Sequence, residues 1–121
     1  GNGAITATTP TFNVVSSAAL YGGTVRLFRT LLADLGIACT FVDSANPAAI
    51  RNALRPNTKL IFVETPSNPT LLLTDLGAVA AIANEAGVVL AVDNTFLTPV
   101  LQRPLDFGAH VSVYSRVALL L

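Results

Sequence analysis

Two carboxylates and a hydroxyl follow short apolar segments, where such side chains could bind a small polar molecule. Glu64 and Asp93 each directly follow such a segment, and Ser115 directly follows another. If these segments are parallel strands of one open sheet, their carboxyl ends meet at a single edge, where ligands bind in sheets of this type. Tyr21 and the Asn68 amide come soon after predicted strands and would join that edge. We therefore predict a binding cleft there.

An acidic side chain aimed at a ring nitrogen, together with an aromatic ring that stacks on the ligand, is one way in which proteins hold a pyridine cofactor. Asp93 and Tyr21 supply that pair of groups. The alternative is that these residues only begin loops, because turns favour small polar and acidic side chains. Ser115 has no histidine or nucleophile-elbow context, so serine-hydrolase chemistry is not expected. His110 begins a strand at the opposite edge and is predicted to be a surface residue.

The elements that position these residues alternate along the chain. Short β-branched apolar segments predict strands at 14–16, 38–42, 60–63, 88–92 and 111–114. Apolar residues at helical spacing predict helices over 24–35, 47–54 and 75–86, with glycines at 36 and 87 just beyond two of them. The strands are apolar without alternation, which is typical of parallel strands buried on both faces. We expect a single α/β domain with a mostly parallel sheet and helices on both faces.

Composition limits the class of protein. The chain has 121 residues, seven basic and seven acidic side chains, 52% hydrophobic residues and only 12% charged residues. This balance excludes disorder and gives no basic surface for nucleic acid. No apolar run is long enough for a membrane span, and the Gly1–Gly3 start is unlike a signal peptide, so we expect a cytoplasmic protein. Cys39 alone forms neither a disulfide nor a metal cluster, and we expect it in the core.

Low charge also predicts that the chain buries apolar surface against another copy of itself or against further parts of its own polypeptide. A homo-oligomer, or association through exposed apolar surface, is therefore expected.

Several motifs carry a resemblance to a known family. They are Leu20–Thr24, Glu64–Pro69, Val92–Phe96, Gln102–Leu105 and Gly108–Ala109. In this order and spacing they resemble the cystathionine γ-lyase, cystathionine γ-synthase and methionine γ-lyase family. These are pyridoxal 5′-phosphate (PLP) enzymes of cysteine and methionine metabolism, and the resemblance runs from about Val14 to Ser115. It implies part of the large domain of a fold-type I PLP enzyme.

The resemblance implies a role for each matching residue. Tyr21 would stack on the pyridine ring, Asp93 would pair with its protonated nitrogen, and Arg26 would lie near an amino acid substrate. The other predicted cofactor contacts are Glu64, Asn68 and Thr95 along the site, with Asn68 near the phenolic oxygen, and Ser115 with the backbone of Gly1 and Asn2 at the phosphate.

The chain departs from the family pattern after its last strand. Relatives have Ser-Ala-Thr-Lys there, and the lysine forms the Schiff base with PLP. Here the segment is Ser115–Ala118, so Ala118 occupies the lysine position and no catalytic residue is assigned. Lys59 is the only lysine and begins the strand that ends near Glu64, roughly 16 Å away along five residues of strand. We therefore expect PLP to bind noncovalently at best.

Three hypotheses follow. The first is a partial PLP-binding large domain, spanning 1–121, from an enzyme of β- or γ-elimination or replacement on sulfur-containing amino acids. It would lack the N-terminal arm and C-terminal domain of relatives and be inactive as it stands. The second is a non-catalytic fold fragment or pseudo-enzyme that acts through self-association. The third, from fold analogy alone, is a flavodoxin-like module for another phosphate ligand.

Overall fold

The computed structural model describes residues 12–19, 22–67 and 73–115. In these ranges five parallel strands form one sheet in the order β2-β1-β3-β4-β5. The strands are β1 (Phe12–Ser17), β2 (Ile37–Val42), β3 (Thr58–Glu64), β4 (Val89–Asp93) and β5 (Val111–Val113). The predicted parallel α/β sheet is confirmed, and all five predicted strands lie within about two residues of their expected bounds.

Helices connect successive strands. They are α1 (Gly22–Arg29), α2 (Leu31–Asp34), α3 (Pro47–Ala53), α4 (Leu76–Ala86) and α5 (Thr98–Leu101), followed by a 3₁₀ turn at Pro104–Phe107. Capping side chains and a glycine determine where α3 and α4 begin or end. The Asn46 and Asp75 side chains cap α3 and α4 by accepting hydrogen bonds from Ala48 N and Ala78 N. Gly87 ends α4 in the left-handed conformation, at φ 67°.

The first long helix that the sequence predicts is interrupted. The pattern over 24–35 predicts one helix, but the structure has two, with Thr30 between them at ψ −72°. The Thr30 hydroxyl donates to the Arg26 carbonyl at 2.6 Å, four residues back. This type of side-chain bond competes with regular helix geometry and often bends the helix. The prediction of a continuous helix was therefore wrong at this residue.

Helices pack on both faces of the sheet. On one face, Ile61, Leu90 and Val92 are fully buried against Ile50 of α3 and Val79 of α4. Neighbouring residues of a strand point to opposite faces. On the other face Phe28 of α1 therefore meets Phe62 of β3 edge to face, with ring centroids 5.4 Å apart.

The α1 face is not covered along its whole width. Val89, Val111 and Val113 lie on this face, on β4 and β5, and are 43%, 45% and 39% exposed. Among the described residues, these three side chains on β4 and β5 are therefore only partly covered. Within the described ranges, no helix is both long enough and apolar enough to cross a membrane.

Candidate functional site at the carboxyl edge of the sheet

Glu64 and Asp93 are neighbours at the carboxyl ends of the two central strands. Glu64 pairs with Asp93 in the register of β3 and β4, so the two residues are adjacent across the ladder. Paired strands lie about 4.8 Å apart, and paired residues project to the same face. Glu64 is buried and Asp93 half-buried. The edge predicted from the sequence therefore carries two adjacent carboxylates on one face.

Asp93 is held by the residues that follow it. Its Oδ1 accepts hydrogen bonds from the Thr95 backbone N–H at 3.1 Å and from the Thr95 hydroxyl at 2.6 Å. The Thr95 Oγ1 in turn accepts from the Ser115 N–H at 2.8 Å. This chain of bonds joins the ends of β4 and β5. No described residue donates to Oδ2 of Asp93, so this oxygen can accept a hydrogen bond from a ligand.

A second network lies behind Asp93 and was not predicted from the sequence. Asn94 is fully buried. Its Nδ2 donates to the Gln102 carbonyl at 2.8 Å and to the Tyr114 hydroxyl at 3.1 Å, and its Oδ1 accepts from Gln102 Nε2 at 2.7 Å. Gln102 Nε2 also donates to the Thr65 carbonyl at 3.0 Å. The network therefore fixes the segment after β4 against the ends of β3 and β5.

Hydroxyl groups form a third network at the ends of β1, β2 and β3. Ser44 Oγ accepts from Ser17 Oγ at 2.8 Å and from Thr74 Oγ1 at 2.9 Å. The Thr74 N–H donates to Thr65 Oγ1 at 3.0 Å. Thr65 therefore belongs to both networks, and the whole carboxyl edge is cross-linked by buried polar groups. Buried networks of this kind are rigid when every member is satisfied.

The signals for these two networks were only partly visible in the sequence. Asn94 and Gln102 lie inside segments that carry the family resemblance, but nothing local assigned them a partner. Ser17 is the last residue of β1, and Ser44 lies two residues after the end of β2. Ser17 and Ser44 are 27 residues apart, Ser44 and Thr74 are 30 residues apart, and Gln102 and Thr65 are 37 residues apart, so these pairings become visible only with the sheet order.

The structure brings together only some of the predicted site residues. Glu64, Asp93, Thr95 and Ser115 share one edge, and the Ser115 side chain is exposed there. Arg26 is exposed on α1, and no hydrogen bond joins it to those four described residues. The remaining predicted positions lie outside the described residues: Gly1, Asn2, Tyr21, Asn68 and Ala118.

Other polar residues lie where the sequence predicts or close to it. Lys59 is exposed near the start of β3, at the opposite end of that strand from Glu64. His110 is exposed at the amino end of β5. Cys39 is half-buried rather than fully buried, and burial raises the pKa of its thiol to about 11, partly offset by Arg29. Among the described residues, no group of three or more His, Cys, Asp or Glu could hold a metal ion.

The arrangement fits the nitrogen end of a pyridine ring. A carboxylate oxygen accepts a hydrogen bond from a protonated ring nitrogen, and Asp93 offers one oxygen that is free among the described groups. Thr95 fixes the other oxygen, so the carboxylate does not have to order itself when a ligand binds. Pre-ordering of this kind lowers the entropic cost of association.

Comparison with known proteins shows which family the chain is similar to. Residues 3–118 match the family described as Cys/Met metabolism PLP-dependent enzyme. The chain is 49% identical to cystathionine γ-lyase of Bacillus subtilis over 119 residues, covering 95% of this chain and 31% of that protein. It is 44% identical to L-methionine γ-lyase of Treponema denticola over 107 residues, covering 85% of this chain and 26% of that protein.

A solved structure of a similar enzyme also matches this chain. A crystal structure of cystathionine γ-lyase from Lactobacillus plantarum complexed with L-serine superposes with a TM-score of 0.86 at 37% identity. The match covers 89% of this chain and 28% of that chain. The chain therefore spans between about a quarter and a third of the length of these relatives.

Proposed function

Because the chain belongs to the Cys/Met metabolism PLP-dependent enzyme family, we propose that it is the central part of the cofactor-binding domain of a transsulfuration-type enzyme. The reaction class is β- or γ-elimination or replacement on a sulfur-containing amino acid. The lyase and γ-synthase names of its relatives support this class. The cytoplasmic location and homo-oligomer expected from the sequence stay predictions.

The observation that carries the proposal is the clamped carboxylate of Asp93. Thr95 holds Oδ1 with two hydrogen bonds and leaves Oδ2 available to the cofactor nitrogen. An ionised carboxylate in this position keeps the ring nitrogen protonated, because the ion pair favours the charged form of both groups. The bound cofactor supplies an electron sink for charge that develops at the substrate α-carbon.

The neighbouring residues would complete the site. Glu64 is buried beside Asp93 and would line the cofactor pocket with Thr95. The exposed hydroxyl of Ser115 would donate to the phosphate, next to the point where its N–H is bonded to Thr95. Arg26 would contribute to an amino acid site only from its exposed position on α1. The family resemblance adds a stacking role for Tyr21, a contact near the phenolic oxygen for Asn68, and a phosphate contact for the backbone of Gly1 and Asn2.

We infer that the chain holds PLP without a covalent bond. Covalent catalysis with PLP requires an amine close to the cofactor aldehyde. Ala118 occupies the position of the family lysine, and Lys59 is exposed near the far end of β3. The carboxyl edge would then bind the cofactor, while proton transfer at the substrate α-carbon would lack its base.

Paired aspartate variants test the proposal. The full chain is titrated with PLP while the visible absorption of the cofactor is recorded, and Asp93→Asn is compared with Asp43→Asn. Asp43 also directly follows a strand, but it lies after β2, two strands away from β3 in the sheet. We expect Asp93→Asn to weaken PLP binding about tenfold or more, because a hydrogen bond to a charged group contributes about 1.5–3 kcal/mol.

Asp43→Asn should leave the affinity unchanged. Its role is to cap a turn through Oδ1, which accepts from the Ala45 N–H at 3.0 Å, and asparagine retains that oxygen. Equal PLP affinities of wild type and both variants would contradict the role of Asp93.

A second candidate function, non-catalytic self-association, is favoured by the uncovered sheet face. Val89 on β4, and Val111 and Val113 on β5, expose apolar surface on the same face of the sheet. Large exposed apolar patches mark interaction surfaces in folded proteins. Sedimentation velocity of the full chain and of Val111→Thr tests this function. Concentration-dependent association that the variant weakens, with no PLP binding, would favour it over the cofactor-binding proposal.

A further inference from the structure

One side-chain amide links the segments that follow Glu64 and Asp93. Gln102 Nε2 donates to the carbonyl of Thr65, the residue after Glu64, at 3.0 Å. The same nitrogen donates to Oδ1 of Asn94, the residue after Asp93, at 2.7 Å. An amide nitrogen carries two protons, so these two bonds use both of them. Gln102 therefore joins the two segments with its full donor capacity.

This link lies beyond the last pairing of β3 with β4. Glu64 pairs with Asp93 at the end of the ladder. One backbone contact follows it, from the Thr65 N–H to the Asp93 carbonyl, at 3.4 Å. That distance is longer than the usual N–H···O distance of about 2.9–3.0 Å, so the contact is weak. The shorter bonds of Gln102 therefore supply the stronger constraint on how these two segments lie relative to each other.

Gln102 is itself held in place. Its backbone N–H donates to the Thr98 carbonyl at 3.1 Å, and its own carbonyl accepts from Asn94 Nδ2 at 2.8 Å. Gln102 and Asn94 therefore bond each other in both directions. Asn94 is fully buried and Gln102 is half-buried. Because buried networks of this kind are rigid, the amide of Gln102 is fixed before any ligand binds.

We propose that Gln102 is a positioning residue for the PLP site, an inference that rests on the proposed role of Asp93. Gln102 acts through Thr65 and Asn94 rather than by contact with the cofactor. It sets the placement of Asp93 relative to Glu64, and so the direction of the Asp93 carboxylate toward the ring nitrogen. Functional groups have to be held within about 0.5 Å of their productive geometry. Loss of the amide therefore misplaces the carboxylate without removing it.

A pair of matched variants, Gln102→Met and Asn13→Leu, tests the proposal. Methionine keeps the length of glutamine but removes the donor. Asn13 is fully buried near the amino end of β1, and its amide also makes two bonds: Nδ2 donates to Thr58 Oγ1 at 2.9 Å, and Oδ1 accepts from the Thr40 hydroxyl at 3.3 Å. A general loss of stability should therefore appear in both variants, whereas misplacement of Asp93 should appear only in Gln102→Met.

The first readout is hydrogen exchange of the full chain without PLP. The Thr95 backbone N–H donates to Asp93 Oδ1 and so reports whether the carboxylate is held. The Leu90 amide inside β4 is the internal reference. Gln102→Met should raise the exchange rate of Thr95 relative to Leu90 about fivefold, as expected when roughly one neutral hydrogen bond is lost locally. Asn13→Leu should leave this ratio unchanged, because global unfolding exposes both amides.

The second readout is the magnetic resonance signal of PLP that is isotopically labelled at the pyridine nitrogen. Its chemical shift distinguishes a protonated ring from a neutral one, and a well-placed carboxylate favours the protonated form. At one fixed pH, Gln102→Met should move this shift toward the neutral value and weaken PLP binding about fivefold, while Asn13→Leu should match wild type. Gln102→Asn keeps the amide on a shorter side chain and should give smaller changes in the same direction. It provides the test if Gln102→Met does not fold.

Two results would overturn the proposal. They are a Thr95 exchange ratio in the Gln102 variants equal to that of wild type, and equal changes of either readout in Gln102→Met and Asn13→Leu. If wild type binds PLP and Asp93→Asn weakens that binding while the Gln102 variants do not, only the role of Gln102 is contradicted. Absence of PLP binding by wild type would contradict the cofactor site, and the exchange of Thr95 would still show whether Gln102 positions Asp93.

Discussion

Replacing Asn94 with alanine should destabilise the fold through loss of one buried network. Asn94 is fully buried and makes three side-chain hydrogen bonds, to the Gln102 carbonyl, the Tyr114 hydroxyl and Gln102 Nε2. Each such bond contributes about 1 kcal/mol net, so we expect Asn94→Ala to lower the free energy of unfolding by roughly 2–4 kcal/mol. This range corresponds to three lost bonds at about 0.5–1.5 kcal/mol each.

The assay is urea unfolding followed by circular dichroism, with linear extrapolation to water. Asn52→Ala is the control, because Asn52 is exposed in α3. Its effect should stay within about 0.5 kcal/mol, as for most surface substitutions. A loss below about 0.5 kcal/mol for Asn94→Ala would refute the claim that this network fixes the carboxyl edge, since a buried three-bond residue cannot be so dispensable.

Three further variants or measurements test other parts of the structure. Thr95→Val removes both the hydroxyl donor to Asp93 and the acceptor for the Ser115 N–H, so PLP affinity should fall about tenfold in the visible titration. An unchanged affinity would contradict the role of Thr95 in holding the Asp93 carboxylate. Gly108→Ala should lower the free energy of unfolding in urea by roughly 2–4 kcal/mol, because φ is 103° and the new Cβ would lie 2.9 Å from the Ala80 Cβ. The control is Gly36→Ala, at φ 80° with open space around the new Cβ, which should lower the free energy of unfolding by only about 1 kcal/mol. Equal losses in the two variants would show that the close contact with Ala80 does not matter. Cys39 should react with iodoacetamide about fiftyfold more slowly at pH 9 than an exposed thiol, because its pKa is about 11 rather than 9.0. A reaction rate equal to that of an exposed thiol would contradict the burial of this side chain. Because the thiol of the unfolded chain ionises at lower pH than the folded one, the stability that Cys39 contributes is complete below pH 9 and is lost as the pH rises toward 11.

Local signals were sufficient for most element ends. Asparagine and aspartate caps, glycines beyond helices, and apolar strand segments each act over a few residues, so the sequence alone located α3, α4 and all five strands. Thr30 shows where such a pattern is incomplete. Apolar spacing through 24–35 is helical, but a threonine hydroxyl bonded four residues back interrupts the helix.

In the candidate site, too, some residues could be predicted from the sequence and others could not. Carboxylates after strands were visible because the carboxyl-edge rule depends only on strand ends, and Glu64 and Asp93 are adjacent as that rule implies. The Asn94–Gln102–Thr65 network was not visible, since its bonds join residues 8 to 37 positions apart. Sequence spacing does not specify which buried amide meets which carbonyl.

We propose that the carboxyl edge binds PLP and that no amine of the chain reacts with the cofactor. The experiment adds PLP to the full chain, records the visible spectrum, reduces with borohydride and measures intact mass. We predict a saturable spectral change with no cofactor-sized increase in mass. A stoichiometric adduct on one amine, such as Lys59, would contradict the noncovalent site, and the absence of any saturable change would contradict the cofactor site itself.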